Sequence, residues 1–112
     1  MTTISRTELQ QRIAAKDVTV LEALPPAYHA REHIPGALNM PHDRVDELAA
    51  ALVPDRSATV VVYCSNTACQ NSTIAARRLG ELGYTDVRKY AEGKEDWIGA
   101  GLPVETGAAV AP

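Results

Sequence analysis

Residues 59–73 read TVVVYCSNTACQNST, and they contain three kinds of local pattern in succession. The first five residues are the run of the chain richest in β-formers, and Cys64 follows them directly. An uncharged loop, residues 65–71, then leads into a helical pattern. A cysteine at such a junction faces the amides and the positive dipole end of the following helix, which favours the nucleophilic thiolate. The stretch therefore predicts a strand, a loop with a reactive cysteine, and a helix.

The rest of the chain alternates between short apolar runs and helical patterns. Predicted strands cover residues 18–21, 37–40, 59–63 and 86–90, and predicted helices cover 5–15, 27–32, 43–52, 72–82 and 93–100. Such alternation predicts an α/β domain with a mainly parallel central sheet flanked by helices. Ligands of these sheets bind beyond the carboxyl ends of the strands, which is where Cys64 lies.

Local signals also predict helix ends and faces. Ser5 and Glu8 match a capping box, and Asp43 is expected to cap the third helix. The polar residues 71–73 are expected to cap the fourth helix. Trp97, the single tryptophan, is expected in the core. The apolar face of the fourth helix is predicted to consist of Ile74, Ala75, Leu79 and Leu82.

The composition is that of an ordinary globular domain. The chain has 112 residues, 46 % apolar and 22 % charged, with a formal charge of −3. We expect one domain over residues 1–105 and a flexible tail over 106–112, which has little to bury. The sequence does not show the basic patch that would indicate a nucleic-acid partner. It also has no apolar run that approaches membrane-spanning length. Because the sequence shows no targeting signal, a cytoplasmic location is expected. We also expect a monomer or a weak dimer.

Four segments, in this order along the chain, carry a family resemblance. They are VLE at 20–22, EHIPGALNMP at 32–41, VVYC at 61–64, and Trp97 followed by GLPV at 101–104. Together they resemble the single-domain rhodanese-like sulfurtransferases. The resemblance implies a three-layer rhodanese-like α/β fold and no cofactor. It also implies a cysteine that takes sulfane sulfur from a small donor as a persulfide and passes it to a thiol, cyanide or protein acceptor.

The resemblance assigns roles by position. Cys64 corresponds to the sulfur carrier. The residues after it correspond to a cradle whose backbone amides hold the persulfide; they are Ser65, Asn66, Thr67, Ala68 and Gln70. The chain departs from the family pattern at three places: Glu32 replaces a common Gly, Leu24 replaces a frequent Arg, and no Arg or Lys lies between Cys64 and Ser72. Thiosulfate users often have a cation in this loop, so efficient use of thiosulfate is not expected.

Cys69 lies five residues after Cys64, close enough for the two sulfurs to meet if the loop curls. It is a candidate resolving thiol that would attack the Cys64 persulfide and release sulfide, or protect Cys64 from overoxidation. Two alternatives remain open. The pair would act as a dithiol–disulfide redox switch, or the domain would be a non-catalytic binding module.

Two other chemistries are disfavoured by spacing. A metal site would need Cys64 and Cys69 together with histidines from a distant segment, so none is predicted. His33 is expected to bind backbone near the loop base, and His29 and His42 to lie at the surface. A phosphatase or arsenate reductase would need an Arg six residues after the nucleophile, where this chain has Gln70. The next cations, residues 77 and 78, are expected to point away from the loop.

Overall fold

The computed structural model describes residues 2–107 and contains one five-stranded, fully parallel sheet. The strands lie in the order β1-β5-β4-β2-β3. They are β1 Thr2–Thr3, β2 Thr19–Glu22, β3 Leu38–Asn39, β4 Thr59–Tyr63 and β5 Asp86–Tyr90. The helices are α1 Arg6–Ala15, α2 Pro26–Arg31, α3 Val45–Leu52, α4 Asn71–Glu81 and α5 Gly93–Gly99. The predicted α/β architecture is confirmed.

Residues 60–63 of the central strand β4 are buried because both faces of the strand are covered. Val60 and Val62 point into one core cluster, which includes Ala49 of α3 and Leu79 of α4. The alternate residues 61 and 63 point into a second cluster, with Leu9 of α1 and Trp97 of α5. The period of two along β4 thus divides the core between the two helical layers.

Several sequence expectations about helix ends and surfaces were wrong. Asp43 does not cap α3, whose first turn follows Arg44 without a side-chain cap. Residues 71–73 do not cap α4 either, because the N-cap position is Gln70 and no side chain bonds there. Ile74 is not part of the apolar face of α4, since 47 % of it is exposed. Strand β1 was missed, because Thr2 and Thr3 are exposed and show no apolar alternation.

The segment after α5 folds back onto the domain. His33 and Glu105 form an antiparallel bridge, and the Trp97 indole Nε1 donates to the Pro103 carbonyl at 2.7 Å. At the start of the predicted tail, the Gly107 amide donates to the Ala30 carbonyl at 2.7 Å. Residues 108–112 of that tail lie outside the described residues. Across residues 2–107, every helix is too short or too polar to cross a bilayer.

Candidate active site

Cys64 lies at the carboxyl end of the central strand. Its own carbonyl and that of the next residue accept hydrogen bonds from α5. The residue is buried, with 2 % of its surface exposed. Its carbonyl accepts from the Lys94 amide at 2.8 Å, and the Ser65 carbonyl accepts from the Glu95 amide at 2.9 Å. The first turn of α5 therefore fixes the backbone on which the sulfur is carried.

Gly93 makes this close approach possible. Its φ is +74°, in the left-handed region that favours glycine. A Cβ at this position would lie 2.6 Å from the Cys64 carbonyl oxygen and 2.8 Å from the Asn66 amide nitrogen. Both atoms belong to the backbone and cannot rotate away, so α5 can reach the loop only with a glycine here.

The Cys64 sulfur lies against the first turn of α4 and against Cys69. The Sγ atoms of the two cysteines are in contact and paired as a disulfide. Cys64 Sγ is also 3.5 Å from the buried Ser72 hydroxyl and 3.4 Å from the Cys69 carbonyl oxygen. In the reduced protein a hydroxyl at this distance would donate to a thiolate. Ser72, expected as a helix cap, is instead a neighbour of the Cys64 sulfur.

Asn66 turns the loop so that Cys69 returns to Cys64. Its side-chain oxygen accepts from the Ala68 amide at 3.0 Å, and its carbonyl accepts from the Cys69 amide at 3.2 Å. Its side-chain amide donates to Glu95 at 2.8 Å. The two cysteine Cα atoms lie 6.3 Å apart, within the range that a disulfide requires. In this state the Ala68 amide, which belongs to the predicted cradle, and the Cys69 amide are both engaged inside the loop.

A buried ion pair lies beneath the site, between the ends of β2 and α5. Lys94 Nζ is 2.6 Å from Glu22 Oε1 and donates to the carbonyls of Tyr28 and Glu32 at 3.2 and 2.8 Å. Burial and the Glu22 carboxylate raise the pKa of Tyr63, whose hydroxyl accepts from the Ile34 amide at 3.1 Å. Lys94 thus connects the loop anchor to β2 and α2.

The sequence reasoning did not single out Lys94. The signal was nevertheless present in the chain. Glu22 ends a buried strand, and Leu24 stands where the resemblance suggests a cation. A carboxylate at that place needs a positive partner, because an unpaired buried charge is strongly unfavourable. Only the fold shows that Lys94 supplies it.

Two histidines, His29 and His33, form a buried pair with a structural role. His29 was expected at the surface, which is wrong, because only 1 % of it is exposed. Its ring stacks on His33, with ring centroids 3.7 Å apart, and its Nε2 is 2.7 Å from the Ala37 carbonyl. His33 bonds the His29 carbonyl through Nδ1 at 2.7 Å, the backbone role that was expected of it. Burial lowers the pKa of His29.

The remaining donors do not converge on the cysteines. His42 is partly buried and lines a cleft between α3 and α4, together with Ile74 and Arg77. Within residues 2–107, no three His, Cys, Asp or Glu side chains are arranged to hold a metal ion.

Cations lie near α4 but are held by other residues. Arg78 donates to Asp46 at 2.7 Å and to Glu81 at 3.0 Å, which fixes its guanidinium on the helix flank. Lys89 Nζ donates to the Thr73 hydroxyl at 2.5 Å, in the first turn of α4. The sequence reasoning did not consider Lys89, which comes from β5. The loop itself, residues 64–71, carries no charge.

Comparisons with curated proteins place this chain among domains of one family. Residues 5–100 match the Rhodanese-like domain family. An HTH-type transcriptional regulator of Mycobacterium tuberculosis is 36 % identical over 107 residues, which are 96 % of this chain and 46 % of the regulator. The thiosulfate sulfurtransferase PspE of Escherichia coli is 44 % identical over 62 residues, 55 % of this chain and 58 % of that protein. The chain thus spans about half the length of these curated relatives.

Solved structures agree with the family match. A rhodanese with anions from Escherichia coli superposes with a TM-score of 0.67 at 34 % identity, covering 80 % of this chain and 99 % of that one. A human single-domain sulfurtransferase gives a TM-score of 0.76 at 26 % identity, covering 88 % and 96 % of the two chains. With a family match over most of its length and a shared fold, the chain belongs to the rhodanese-like domain family.

Proposed function

We propose that this protein is a sulfurtransferase that carries sulfane sulfur as a persulfide on Cys64. The observation that carries the proposal is the position of the Cys64 sulfur, at the carboxyl end of the central strand and 3.5 Å from the Ser72 hydroxyl in the first turn of α4. A helix N-terminus and a hydroxyl donor both favour the thiolate. The sulfurtransferase names of PspE and the human relative support the same chemistry.

The proposed cycle needs no cofactor. The Cys64 thiolate attacks the sulfane sulfur of a donor, whose remaining part leaves with the bonding electron pair as sulfite or a thiolate. The persulfide anion on Cys64 is then stabilised by amides of the loop, formed by Ser65, Asn66, Thr67, Ala68 and Gln70. In the reduced protein, amides that point at the persulfide before it forms would stabilise the anion at little reorganisation cost. A thiol, cyanide or protein nucleophile takes the outer sulfur and regenerates Cys64.

The neutral loop favours thiol persulfides over thiosulfate as the donor. Thiosulfate is a dianion, and a charge-assisted hydrogen bond to a cation is about twice as strong as a neutral one. Here residues 64–71 offer only neutral donors, and the nearby Lys89 is bound to Thr73. We expect thiosulfate to be used with a high KM. Saturation at micromolar thiosulfate would contradict this expectation.

The first test is to incubate the fully reduced protein with thiosulfate, and separately with a thiol persulfide, and to weigh it intact. The added mass of one sulfur atom, mapped to Cys64, is the expected result in the Cys69→Ser variant, which lacks a second thiol to remove the sulfur. The matched Cys64→Ser variant should stay unmodified. Absence of added sulfur in Cys69→Ser with both donors would refute the proposed function.

A dithiol–disulfide switch is the second candidate, and the contact between the two sulfurs is the observation that favours it. In this case no sulfur is transferred, and Cys64 and Cys69 simply cycle between the thiol and disulfide states. The transcriptional regulator among the relatives fits a signalling use of such a pair. The switch would be favoured if a disulfide oxidant reversibly oxidised the wild type and the Cys69→Ser variant formed no persulfide.

A further inference from the structure

The contact between the two cysteine sulfurs indicates what happens to the carried sulfur when no acceptor arrives. We infer that Cys69 reductively cleaves the Cys64 persulfide and releases its outer sulfur as sulfide. The inference rests on the proposed function, because it starts from the persulfide. It gives the domain a further activity, the conversion of sulfane sulfur to sulfide, in which the loop disulfide is the other product.

Placement of Cys69 is the first argument. A resolving thiol must reach the inner sulfur of the persulfide, which is Cys64 Sγ itself, and the Cys69 sulfur touches that atom. The Cα atoms are 6.3 Å apart, so the disulfide forms without separating the strand end from the helix. A thiol that touched only the outer sulfur would merely move the persulfide along the loop. The observed pairing is that of the resolved product.

The second argument is that the loop is built to hold this geometry. Asn66 uses its side-chain oxygen and its carbonyl to accept from Ala68 and Cys69, which makes the chain reverse between the two cysteines. Its side-chain amide is tied to Glu95 on α5 at 2.8 Å. Because α5 also binds the carbonyls of Cys64 and Ser65, one helix fixes both the carrier and the turn that brings Cys69 back.

The step balances in atoms and charge. The Cys69 sulfur attacks Cys64 Sγ, the bond between the two sulfurs of the persulfide breaks, and the outer sulfur leaves with the electron pair. It takes up the proton of the Cys69 thiol and departs as HS⁻. The two cysteine sulfurs are oxidised to the disulfide, and the sulfane sulfur is reduced to sulfide. A dithiol reductant then restores both thiols by thiol–disulfide exchange.

A single-turnover experiment tests the inference. Reduced protein, freed of added thiol, receives one equivalent of a thiol persulfide or, separately, an excess of thiosulfate, and both released sulfide and intact mass are measured. The wild type should release about one sulfide per chain and lose two hydrogens, with peptides linking Cys64 to Cys69. Cys69→Ser should retain the added sulfur and release less than about a tenth of that sulfide.

The outcomes separate the inference from the proposed function. If the wild type also keeps the extra sulfur and releases no sulfide, Cys69 is not a resolving thiol, although Cys64 is still a sulfur carrier. If Cys69→Ser takes up no sulfur from either donor, the proposed function itself fails. If Cys69→Ser releases sulfide as fast as the wild type, the release does not use Cys69 and the inference is wrong.

A second variant tests the geometry with both thiols present. Asn66→Ala removes the bonds to the Ala68 amide and to Glu95, so the turn is less often closed. We expect sulfide release to slow about tenfold and the persulfide to be detectable for longer. Unchanged release would show that the Asn66 turn is not what positions Cys69. Thiol titration under denaturing conditions confirms that both cysteines are reduced at the start.

Discussion

Gly93 controls the position of Cys64 although it makes no contact with the sulfur. The residue occupies a left-handed conformation, with φ of +74°, and sits where the loop and α5 come closest. The amides that follow it, those of Lys94 and Glu95, bind the carbonyls of Cys64 and Ser65. The site therefore depends on a missing side chain as much as on the residues present.

Replacing Gly93 with Ala is expected to cost about 3 kcal/mol of unfolding free energy, because strain at positive φ adds to a backbone clash. The added Cβ would lie 2.6 Å from the Cys64 carbonyl, so the loop must also shift. We expect persulfide formation to slow in the folded fraction. Urea unfolding and intact-mass loading measure the two effects. Loading at the wild-type rate would show that the loop tolerates displacement.

The buried ion pair beneath the loop gives a second prediction. Lys94→Met removes the partner of Glu22, which is fully buried, and should destabilise the protein by about 3–5 kcal/mol. The double variant Glu22→Gln with Lys94→Met should recover much of this loss, because no charge is then left unpaired. Chemical denaturation of the two variants measures this. Equal destabilisation of the single and double variants would contradict the ion-pair explanation.

Ala68 offers a test of donor choice. It is exposed and lies in the neutral loop, so Ala68→Arg adds a cation where an anionic donor would approach. We expect the KM for thiosulfate to fall up to about fivefold, the size of an exposed charge interaction of about 1 kcal/mol. The KM for a sulfur donor that carries no negative charge should stay the same. Ala68→Gln, of similar polarity but uncharged, is the matched control, and an equal fall there would exclude a charge effect.

Single residues differ in how far the sequence alone predicts them. The position of Cys64 could be predicted, because the strand, the loop and the helix around it are contiguous in the chain. Lys94 could not, because its partner Glu22 is distant in the sequence. The burial of His29 could not either, because local sequence does not show which side of α2 is covered. The Lys94 ammonium pairs with Glu22 across the sheet, and the stacking of His29 on His33 depends on how α2 packs.

Strands and helices were predictable where the apolar pattern is strong. The run of β4 is buried on both faces, and its bounds agree with the sequence reasoning. Strand β1 could not be found, because it pairs only at the sheet edge, through backbone bonds to β5. The helix α4 was predicted within one residue at each end, but Ile74 lies on its exposed side. The expected caps Ser72 and Thr73 lie inside α4, one beside the Cys64 sulfur and the other bound to Lys89, and the N-cap position falls on Gln70.

A glycine on the surface of helix α4 is a site where a substitution should stabilise the protein. Gly80 lies inside the helix, and a Cβ there would meet no atom within 4 Å. Gly80→Ala should therefore stabilise the protein by about 0.5–1 kcal/mol, because glycine costs more backbone entropy than alanine in a helix. Thermal unfolding measures the gain. This variant is also the matched control for Gly93→Ala, since the same substitution should have the opposite sign there.

The whole molecule is held together by two core clusters, one on each side of the sheet, and polar groups join its layers at the carboxyl ends of the strands. His29 of α2 stacks on His33, and His33 pairs with Glu105 of the segment after α5, whose carboxylate also accepts from the Gly36 amide at 2.8 Å. The candidate site shares this end of the sheet with them. Stability and the order of the loop are therefore expected to depend on the same buried polar groups.

This arrangement makes the molecule sensitive to mild acid. Burial lowers the pKa of His29, and the nearby charges of His33 and Lys94 lower it further. The hydrogen bond to Ala37 and the charge of Glu22 raise it, but by less. The folded state therefore keeps His29 neutral to a lower pH than the unfolded chain, in which His29 titrates near its ordinary pKa of about 6.5. Below about pH 6.5 the unfolded state binds more protons, so the free energy of unfolding falls as the pH drops.

The loss should continue at lower pH through a different set of groups. Hydrogen bonds from Arg78, Arg88 and Tyr90 lower the pKa values of Asp46, Asp86 and Asp96. Their stabilisation is complete above the ordinary pKa of about 3.9 and is lost as the pH falls through the lowered values in the folded state. Acid unfolding should thus proceed in two stages, a histidine stage followed by a carboxylate stage.

Urea unfolding at a series of pH values separates the two stages. His29→Gln keeps an amide donor for the Ala37 carbonyl but has no titrating group, so it should lose the slope that begins below about pH 6.5. Asp96→Asn should leave that slope intact and reduce the loss below about pH 4. If His29→Gln and the wild type show the same slope just below about pH 6.5, the buried histidine is not the group that links stability to mild acid.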